Sequence, residues 1–203
     1  MPRLPFGRFS GRVLSDMALG FCCQVLQQIG LPCLQMKSLF NKVEISSSCC
    51  LGKKDKRDIN KQLGYEVLEK NETYMVHRCK NKASLISLGG SAILFCLNRK
   101  YFPTIRYLEG HGGGFYEVFL DEGALEPLCR GADVMIPGVL KYKDLIKKGF
   151  EAGDTIVVRI IGKSIVAVGE AIVGLKDMEA SSRGVGIEVY HRVGDGLYTE
   201  RQL

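Results

Sequence analysis

Residues 119–138 read FLDEGALEPLCRGADVMIPG, and this stretch holds the densest set of structural signals in the chain. The apolar run at 115–120 predicts a strand, and the acidic and glycine residues at 121–123 predict a turn. A short helix is expected over 124–130, with carboxylates near its positive N-terminal end and Gly131 as its stop. This order of elements predicts a small mixed domain rather than a helical bundle.

Paired strands follow downstream of the quoted stretch. Residues 155–161 and 164–173 are apolar and rich in β-branched side chains, and Gly162-Lys163 between them fits a turn. A further strand is expected at 186–190. Short strands joined by tight turns, with little helix, predict a compact mixed barrel over the second half of the chain.

Upstream, residues 53–68 predict a helix with one narrow apolar stripe. Ile59, Leu63 and Val67 recur every four residues, as on one side of a helix. Gly64 is expected to weaken or end the helix, because glycine is costly inside helices. The opposite, exposed side is predicted to be basic. Its residues are Lys53, Lys54, Lys56, Arg57 and Lys61.

Strands are predicted in the first half wherever apolar residues alternate. They fall at 74–79, 83–88, 91–97 and 104–108, with Gly89-Gly90 as a turn and the serines at 46–48 as a loop or helix cap. The glycine-rich run at 110–114 predicts a linker.

The positive charge is unevenly distributed along the chain. The net charge is +6, but residues 36–110 hold 14 Lys or Arg and 7 Asp or Glu, whereas residues 111–203 hold 11 and 14. Residues 1–35 add three Arg and one Asp. Such asymmetry favours an anionic partner for the first half, although a solvated basic surface is an equally good interpretation of charge alone.

Several classes of protein are disfavoured by the sequence. No uninterrupted apolar stretch approaches the roughly 18–20 residues that span a bilayer. The eight cysteines include no C-x-x-C pair, so we predict free thiols in a reducing compartment and no metal or other cofactor.

No catalytic motif is complete. Gly162-Lys163-Ser164 is not a phosphate loop, because Val157 stands where the motif needs glycine and a strand follows instead of a helix. Cys129, His111 and His191 are the residue types of a nucleophilic set, but nothing in the local sequence assembles them. We therefore predict that the protein is not an enzyme.

The quoted stretch resembles the start of a PUA domain. The pieces D-x-G-A-[IL] and G-A-[DN]-[VI]-M-x-P-G are both present at the spacing of that family, and Gly153-Asp154 and residues 167–171 match its later strands. The resemblance implies a pseudo-barrel that binds structured RNA through the short helix and the strand after it. The RNA contacts it implies here are Gly131, Met135, Pro137, Gly138, Lys141 and Lys143.

Residues near the C-terminus narrow the family. The segments 184–188 and 195–198, with His191 between them, resemble the end of the malignant T-cell amplified sequence family of translation factors. Residues 93–95 and 101–104 resemble the N-terminal domain that this family shares with ligatin. Residues 36–40 look like the usual first residues of these proteins, which favours Met36 as the natural start.

This resemblance implies a cytoplasmic, non-enzymatic factor that acts on the small ribosomal subunit in translation initiation, reinitiation or recycling, with rRNA and tRNA as ligands. The chain ends soon after the PUA-like region, as in the short factor, so the resemblance also implies an SUI1-domain partner similar to density-regulated protein. Two alternatives remain open. They are an accessory subunit of a tRNA or rRNA modification enzyme, and an adaptor that binds only protein.

The resemblance implies an α+β fold. The glycine-rich run and the uneven charge divide it into a small mixed N-terminal domain at 36–110 and a PUA pseudo-barrel at 111–203. Residues 1–35 form a leader that is open to interpretation as a transit peptide, a weak signal sequence, a short amphipathic helix or a segment absent from the native protein. Phosphate contacts are predicted for seven basic residues of the N-terminal domain. They are Lys53, Lys54, Arg57, Lys61, Arg99, Lys100 and Arg106.

Overall fold

The computed structural model describes residues 38–111, 114–181, 183–200 and 202–203. The predictions for the leader at 1–35 and for Met36 as the start lie outside these residues. The described residues belong to one compact unit that contains two five-stranded sheets.

The first sheet is an antiparallel meander in the order β1-β2-β3-β4-β5. Its strands are β1 (Ile45–Cys50), β2 (Tyr74–Cys79), β3 (Ser84–Leu88), β4 (Ser91–Leu97) and β5 (Lys100–Pro103). Two-residue turns join the last three strands, and both residues of each turn have positive φ, as the twist of a tight hairpin requires. These turns are Gly89-Gly90 and Asn98-Arg99.

Helix α1 (Lys53–Leu63) packs on this sheet through the apolar stripe that the sequence predicts. Ile59 joins Val67, Leu68, Tyr74 and Leu94 in a buried cluster. The helix ends at Gly64, which has a φ of 76° and donates its backbone N–H to the carbonyl oxygen of Asn60 at 3.0 Å. The helix is therefore confirmed over Lys53–Leu63, together with its glycine stop. Val67, expected on the same helical stripe, follows the helix and joins the buried cluster from the next segment.

Two local predictions in this half are wrong. Residues 46–48 belong to the exposed edge strand β1 and not to a loop or cap. Residues 105–111 form helix α2 (Ile105–His111) and not a strand. Ile105 and Leu108 are buried three residues apart, and the Thr104 hydroxyl accepts a hydrogen bond from the backbone N–H of Tyr107 at 3.2 Å, so a threonine cap begins a helix here.

The second sheet has the order β6-β8-β9-β10-β7 and contains one parallel pair, β6 with β8. Its strands are β6 (Tyr116–Leu120), β7 (Val134–Met135), β8 (Thr155–Ile160), β9 (Ile165–Ala171) and β10 (Val185–Arg192). The helices around it are α3 (Leu125–Cys129), α4 (Ile136–Lys141), α5 (Leu175–Ser181) and α6 (Gly196–Thr199), with 3₁₀ turns at Glu122–Ala124 and Lys143–Leu145.

Aromatic and charged side chains join the two sheets. The Phe95 ring lies 5.3 Å from Phe40, 5.1 Å from Phe102 and 5.8 Å from His191, all between ring centroids. His191 Nδ1 is 2.9 Å from the Asp195 carboxylate, and both side chains are fully buried.

The predicted linker at 110–114 begins inside a helix, because α2 includes Gly110 and His111. The division into domains at 110–111 stays a prediction.

Candidate nucleic-acid interface

Helix α1 presents four exposed cations, which we call the basic face: Lys53, Lys54, Arg57 and Lys61. None of the four forms an ion pair with any residue in the described ranges. Asp55 in the first turn and Lys61 in the last turn both suit the helix dipole. Asp55 and Asp58 are exposed on the same helix, but neither lies within ion-pair distance of the four cations, which therefore retain much of their attraction for phosphate.

Lys56 does not belong to the basic face, which corrects the sequence prediction. Its side chain is only 7% exposed. The ammonium donates to the carbonyl oxygen of Lys70 at 3.3 Å and to that of Glu72, and it lies 5.1 Å from the centroid of the Tyr74 ring. Lys56 thus ties the chain after α1 to the helix.

Asn60 fixes the same chain segment one turn farther along. Its Oδ1 accepts from the backbone N–H groups of Val67 at 3.1 Å and Leu68 at 2.9 Å, and its Nδ2 donates to the carbonyl oxygen of Leu68 at 2.8 Å. Residues 65–72 are therefore held alongside the helix by five hydrogen bonds from two side chains.

A groove of about 910 Å³ lies between α1 and residues 64–71, and we call it the basic groove. Five of its lining residues are cations and one, Glu66, is an anion. Lys70 lines the groove on the wall opposite α1, although it is not among the phosphate contacts predicted from the sequence. The lining residues are Lys53, Lys56, Arg57, Asn60, Lys61, Gly64, Tyr65, Glu66, Leu68, Lys70 and Asn71.

Tyr65 lies at one end of the basic groove and also lines a second, smaller cavity of about 210 Å³. Its ring centroid is 4.9 Å from that of Phe115 in an edge-to-face arrangement, and its hydroxyl donates to the carbonyl oxygen of Gly114. Gly114 has a φ of 121°, and a Cβ there would lie 2.9 Å from the Tyr65 ring, so only glycine permits this approach. Burial raises the pKa of the Tyr65 hydroxyl.

The other three cations predicted in the first half have different surroundings. Arg99 is exposed, and its carbonyl oxygen accepts from Gln62 Nε2 at 3.1 Å, so it lies beside the C-terminal part of α1. The Lys100 ammonium donates to the carbonyl oxygen of Gly153 and lies 3.3 Å from Glu170 Oε1. Lys100 is therefore engaged across the two sheets.

Arg106 is engaged in a similar way. Its Nε donates to the carbonyl oxygen of Tyr198 at 2.9 Å, and its guanidinium lies 5.6 Å from the centroid of the Tyr198 ring. Neither Lys100 nor Arg106 lines the basic groove. Both cations, for which phosphate contacts were predicted, instead contact the PUA half of the chain, by which we mean the described part of residues 114–203.

In the PUA half, two of the selected cations are paired with carboxylates. Lys141 Nζ lies 2.7 Å from Asp121, and Lys143 Nζ lies 3.1 Å from Glu179. The Lys141 ammonium lowers the pKa of the Asp121 carboxyl, and the pKa of Lys141 is raised in turn.

The other selected positions of this half follow α3. Gly131 has a φ of 105° after that helix, and Met135, 49% exposed, pairs with Val185 at the edge of the sheet. Pro137 lies in the first turn of α4 and is exposed, whereas Gly138 is half-buried. A Cβ at Gly138 would lie 3.5 Å from Leu120, an ordinary contact, so the structure does not demand glycine there.

Other features bear on the class of protein. No helix in the described ranges is long and apolar enough to cross a membrane. No cluster of three or more His, Cys, Asp or Glu side chains suited to a metal ion occurs among those residues.

Comparisons with known proteins agree with this architecture. A family model described as elF2D, PUA domain, matches residues 120–196. Translation machinery-associated protein 20 of Schizosaccharomyces pombe is 29% identical over 140 residues, which cover 68% of this chain and 77% of that protein. Malignant T-cell-amplified sequence 2 of Mus musculus is 30% identical over 137 residues, which cover 66% of this chain and 74% of that protein.

Solved structures show the same fold. A hypothetical protein from Pyrococcus horikoshii has a TM-score of 0.64 at 25% identity, covering 75% of this chain and 98% of its own. A conserved PUA domain protein from Thermoplasma acidophilum has a TM-score of 0.59 at 25% identity, covering 75% and 97%. The predicted α+β fold with a PUA pseudo-barrel is confirmed. From these matches, and from the extent of the alignment with the mouse protein, we conclude that the chain belongs to the malignant T-cell-amplified sequence family.

Proposed function

We propose that this protein is a non-enzymatic RNA- and ribosome-binding factor of the translation machinery. It acts in the cytoplasm on the small ribosomal subunit, in initiation, reinitiation or recycling. The observation that carries the proposal is the basic groove, where cations without ion-pair partners in the described ranges line a concave surface. The names of its relatives, which are translation machinery-associated proteins in yeasts, support the cellular process.

The basic face is the part of the protein that contacts rRNA in this proposal. Phosphate attracts Lys and Arg without reference to base sequence, and this term supplies much of the affinity for nucleic acid. Arg99 extends the positive surface past the C-terminal end of α1. Lys100 and Arg106 are left out of the proposed interface, because their charged groups already donate hydrogen bonds to Gly153 and Tyr198 of the PUA half.

The PUA half contributes a second RNA contact in this proposal, to tRNA or rRNA. Gly131 and Met135 lie in the segment between α3 and α4, and Pro137 and Gly138 lie in the first turn of α4. The exposed Met135 and Pro137 are available to a ligand there. Lys141 and Lys143 follow this segment in the chain, but their carboxylate partners weaken their attraction for phosphate.

Co-sedimentation with purified small ribosomal subunits over a salt series tests the proposal. If about five phosphates are neutralised, log affinity falls against log salt with a slope near −4. A flat response to salt would contradict a phosphate-based interface. Nucleoside analysis of tRNA from a deletion strain addresses the modification-enzyme alternative, which requires altered modification levels.

The proposed SUI1-domain partner needs a separate test. Affinity purification of the full chain from cell extract, followed by mass spectrometry, is expected to recover a protein similar to density-regulated protein together with small-subunit proteins. Recovery of protein partners that is unaffected by nuclease, with no RNA in the eluate, would favour the protein-binding adaptor instead.

A further inference from the structure

We infer that the basic groove binds single-stranded RNA, with a base stacked on the aromatic pair Tyr65–Phe115 at the end of the groove. This inference rests on the proposed RNA-binding function and adds the class of RNA and the place where it is held.

The cations of α1 that line the groove are spaced regularly along one wall. Lys53, Arg57 and Lys61 lie four residues apart on the helix, so they are about 6 Å apart along its axis. This step is comparable to the separation of neighbouring phosphates in an extended single strand. Lys70 provides a cation on the opposite wall. A polyanionic strand lying along the groove therefore meets positive charge on both sides.

The groove is formed before any ligand arrives. Lys56 and Asn60 hold residues 65–72 against the helix. Their hydrogen bonds are made to the backbone of that segment, so the side chains of the segment are not used to hold it. Binding thus requires little ordering of the wall, which lowers the entropic cost of association. The Lys56 ammonium is already engaged, so it supports the wall and is not itself a phosphate contact.

Aromatic rings continue the surface where the basic groove ends. Tyr65 lines both the groove and the smaller cavity, whose other aromatic residues are Tyr101, Phe115 and Tyr116. The Lys148 ammonium lies 4.6 Å from the centroid of the Tyr116 ring and adds a cation at this end. The four aromatic residues are half-buried. Cations that lead to accessible ring surface are the usual arrangement for binding a single strand, because phosphates and unstacked bases are held together.

The rings of Tyr65 and Phe115 at the end of the basic groove favour a single strand over other anionic ligands. In a duplex the bases are stacked on one another and are not available to Tyr65 or Phe115. An acidic peptide would satisfy the cations but offers no base to the rings. Single-stranded RNA is the ligand that uses both features of the site.

The test measures binding of the full chain to a fluorescent RNA of about ten nucleotides by anisotropy, since single-strand sites usually cover about 4–16 nucleotides. The same sequence annealed to its complement is the duplex control. We expect the single strand to bind at least about tenfold more tightly than the duplex, and Tyr65→Leu to lose about tenfold of that affinity. Tyr65→Phe retains the ring and should stay within about twofold of the wild type by the same argument.

Photocrosslinking of the wild-type protein to RNA containing 4-thiouridine gives a readout that does not depend on how the variants fold. The crosslink is expected on peptides that contain Tyr65 or Phe115. Equal binding of single strand and duplex, no crosslink on those peptides, or displacement of the RNA by polyglutamate at equal charge would each overturn the inference. If Tyr65→Leu binds RNA like the wild type while co-sedimentation stays salt-dependent, the stacking site is wrong and the proposed function stands.

Discussion

Helix α1 and the PUA half present their positive charges in different ways. The basic face has no ion-pair partner among the described residues, whereas five cations of the PUA half lie against carboxylates of the same half. Exposed pairs of this kind add little stability, but each one cancels a local field. The contrast teaches that a count of lysines does not locate an RNA-binding surface, because the acidic neighbours decide which lysines remain available to phosphate.

The largest expected effect comes from reversing the charge of the basic groove. The triple variant Lys53→Glu, Arg57→Glu and Lys61→Glu should weaken RNA binding by on the order of a hundredfold or more, since three phosphate contacts become repulsions. Anisotropy with the single-stranded RNA measures this loss.

The matched control for that variant changes three exposed cations of the PUA half by the same total charge. They are Lys147, Lys176 and Arg183, each replaced by Glu. We expect only a few-fold loss from the change in net charge. Equal losses in the two triple variants would remove the distinction between the two halves.

The next effect concerns Lys56, the buried cation of α1. Lys56→Met keeps most of the aliphatic chain but leaves the carbonyl oxygens of Lys70 and Glu72 without this donor. We expect the free energy of unfolding to fall by about 2 kcal/mol, the usual cost of unsatisfied buried groups. Urea denaturation measures the change.

Lys54 offers the control for Lys56, because it lies two residues away and is exposed. Lys54→Met should change the free energy of unfolding by less than about 0.5 kcal/mol. A stability loss in both variants would mean that the helix, and not the buried ammonium, is sensitive to the substitution.

A smaller effect is expected from freeing the paired lysines of the PUA half. Asp121→Asn with Glu179→Gln removes the partners of Lys141 and Lys143 and keeps the shape of both side chains. RNA affinity should rise about threefold to tenfold, because two cations are released. The free energy of unfolding should change little, since both pairs are exposed and solvent screens them. Unchanged affinity would show that this surface does not contact RNA.

The smallest effect is a pH response of the first sheet. Burial lowers the pKa of His77, whose ring is hydrogen-bonded to the hydroxyls of Ser48 and Ser87. The unfolded chain then takes up a proton below pH about 6.5 before the folded protein does. The contribution of the neutral His77 side chain to the free energy of unfolding is therefore complete above that pH. It is lost as the pH falls towards the pKa of His77 in the folded protein.

Thermal unfolding between pH 7.5 and 5.5 measures this response, and His77→Gln should flatten it. The carboxylates with lowered pKa values, Glu44 and Asp121, respond only below pH 4.5 and do not interfere. An identical pH profile in the wild type and the variant would contradict the assignment to His77.

The sequence predicts those parts of the fold that depend on local pattern. The stripe of Ile59 and Leu63 and the stop at Gly64 locate α1, and the motif at 119–138 identifies the PUA domain. The prediction fails at 104–108, because Ile105 and Tyr107 alternate as in a strand, whereas Ile105 and Leu108 are spaced as on one side of a helix. The Thr104 cap favours the helix. It fails at β1 because serine-rich edge strands have no apolar alternation and depend on pairing with a distant strand.

The candidate site shows the same limit. Four exposed cations of α1 follow from the helical period, which also puts Lys56 on the side of Ile59, three residues away. The period does not show that the Lys56 ammonium reaches carbonyl oxygens 14 and 16 residues away. Lys70 and Tyr65 become part of the basic groove only because Asn60 and Lys56 fold the following segment back along the helix. A polar asparagine at the edge of an otherwise narrow apolar stripe was the available signal.

Lys100 and Arg106 have a consequence for avidity. By bonding to Gly153 and Tyr198 they hold the basic groove and the PUA surface at one separation. In the proposed function, an RNA or ribosomal surface that reaches both contacts meets the second at a high effective concentration once the first is made, so the combined affinity exceeds that of either contact alone. A ligand whose two contact points are spaced differently gains nothing from this arrangement. In the proposed function, the fixed separation between the basic groove and the PUA surface therefore contributes to the selection of RNA ligands.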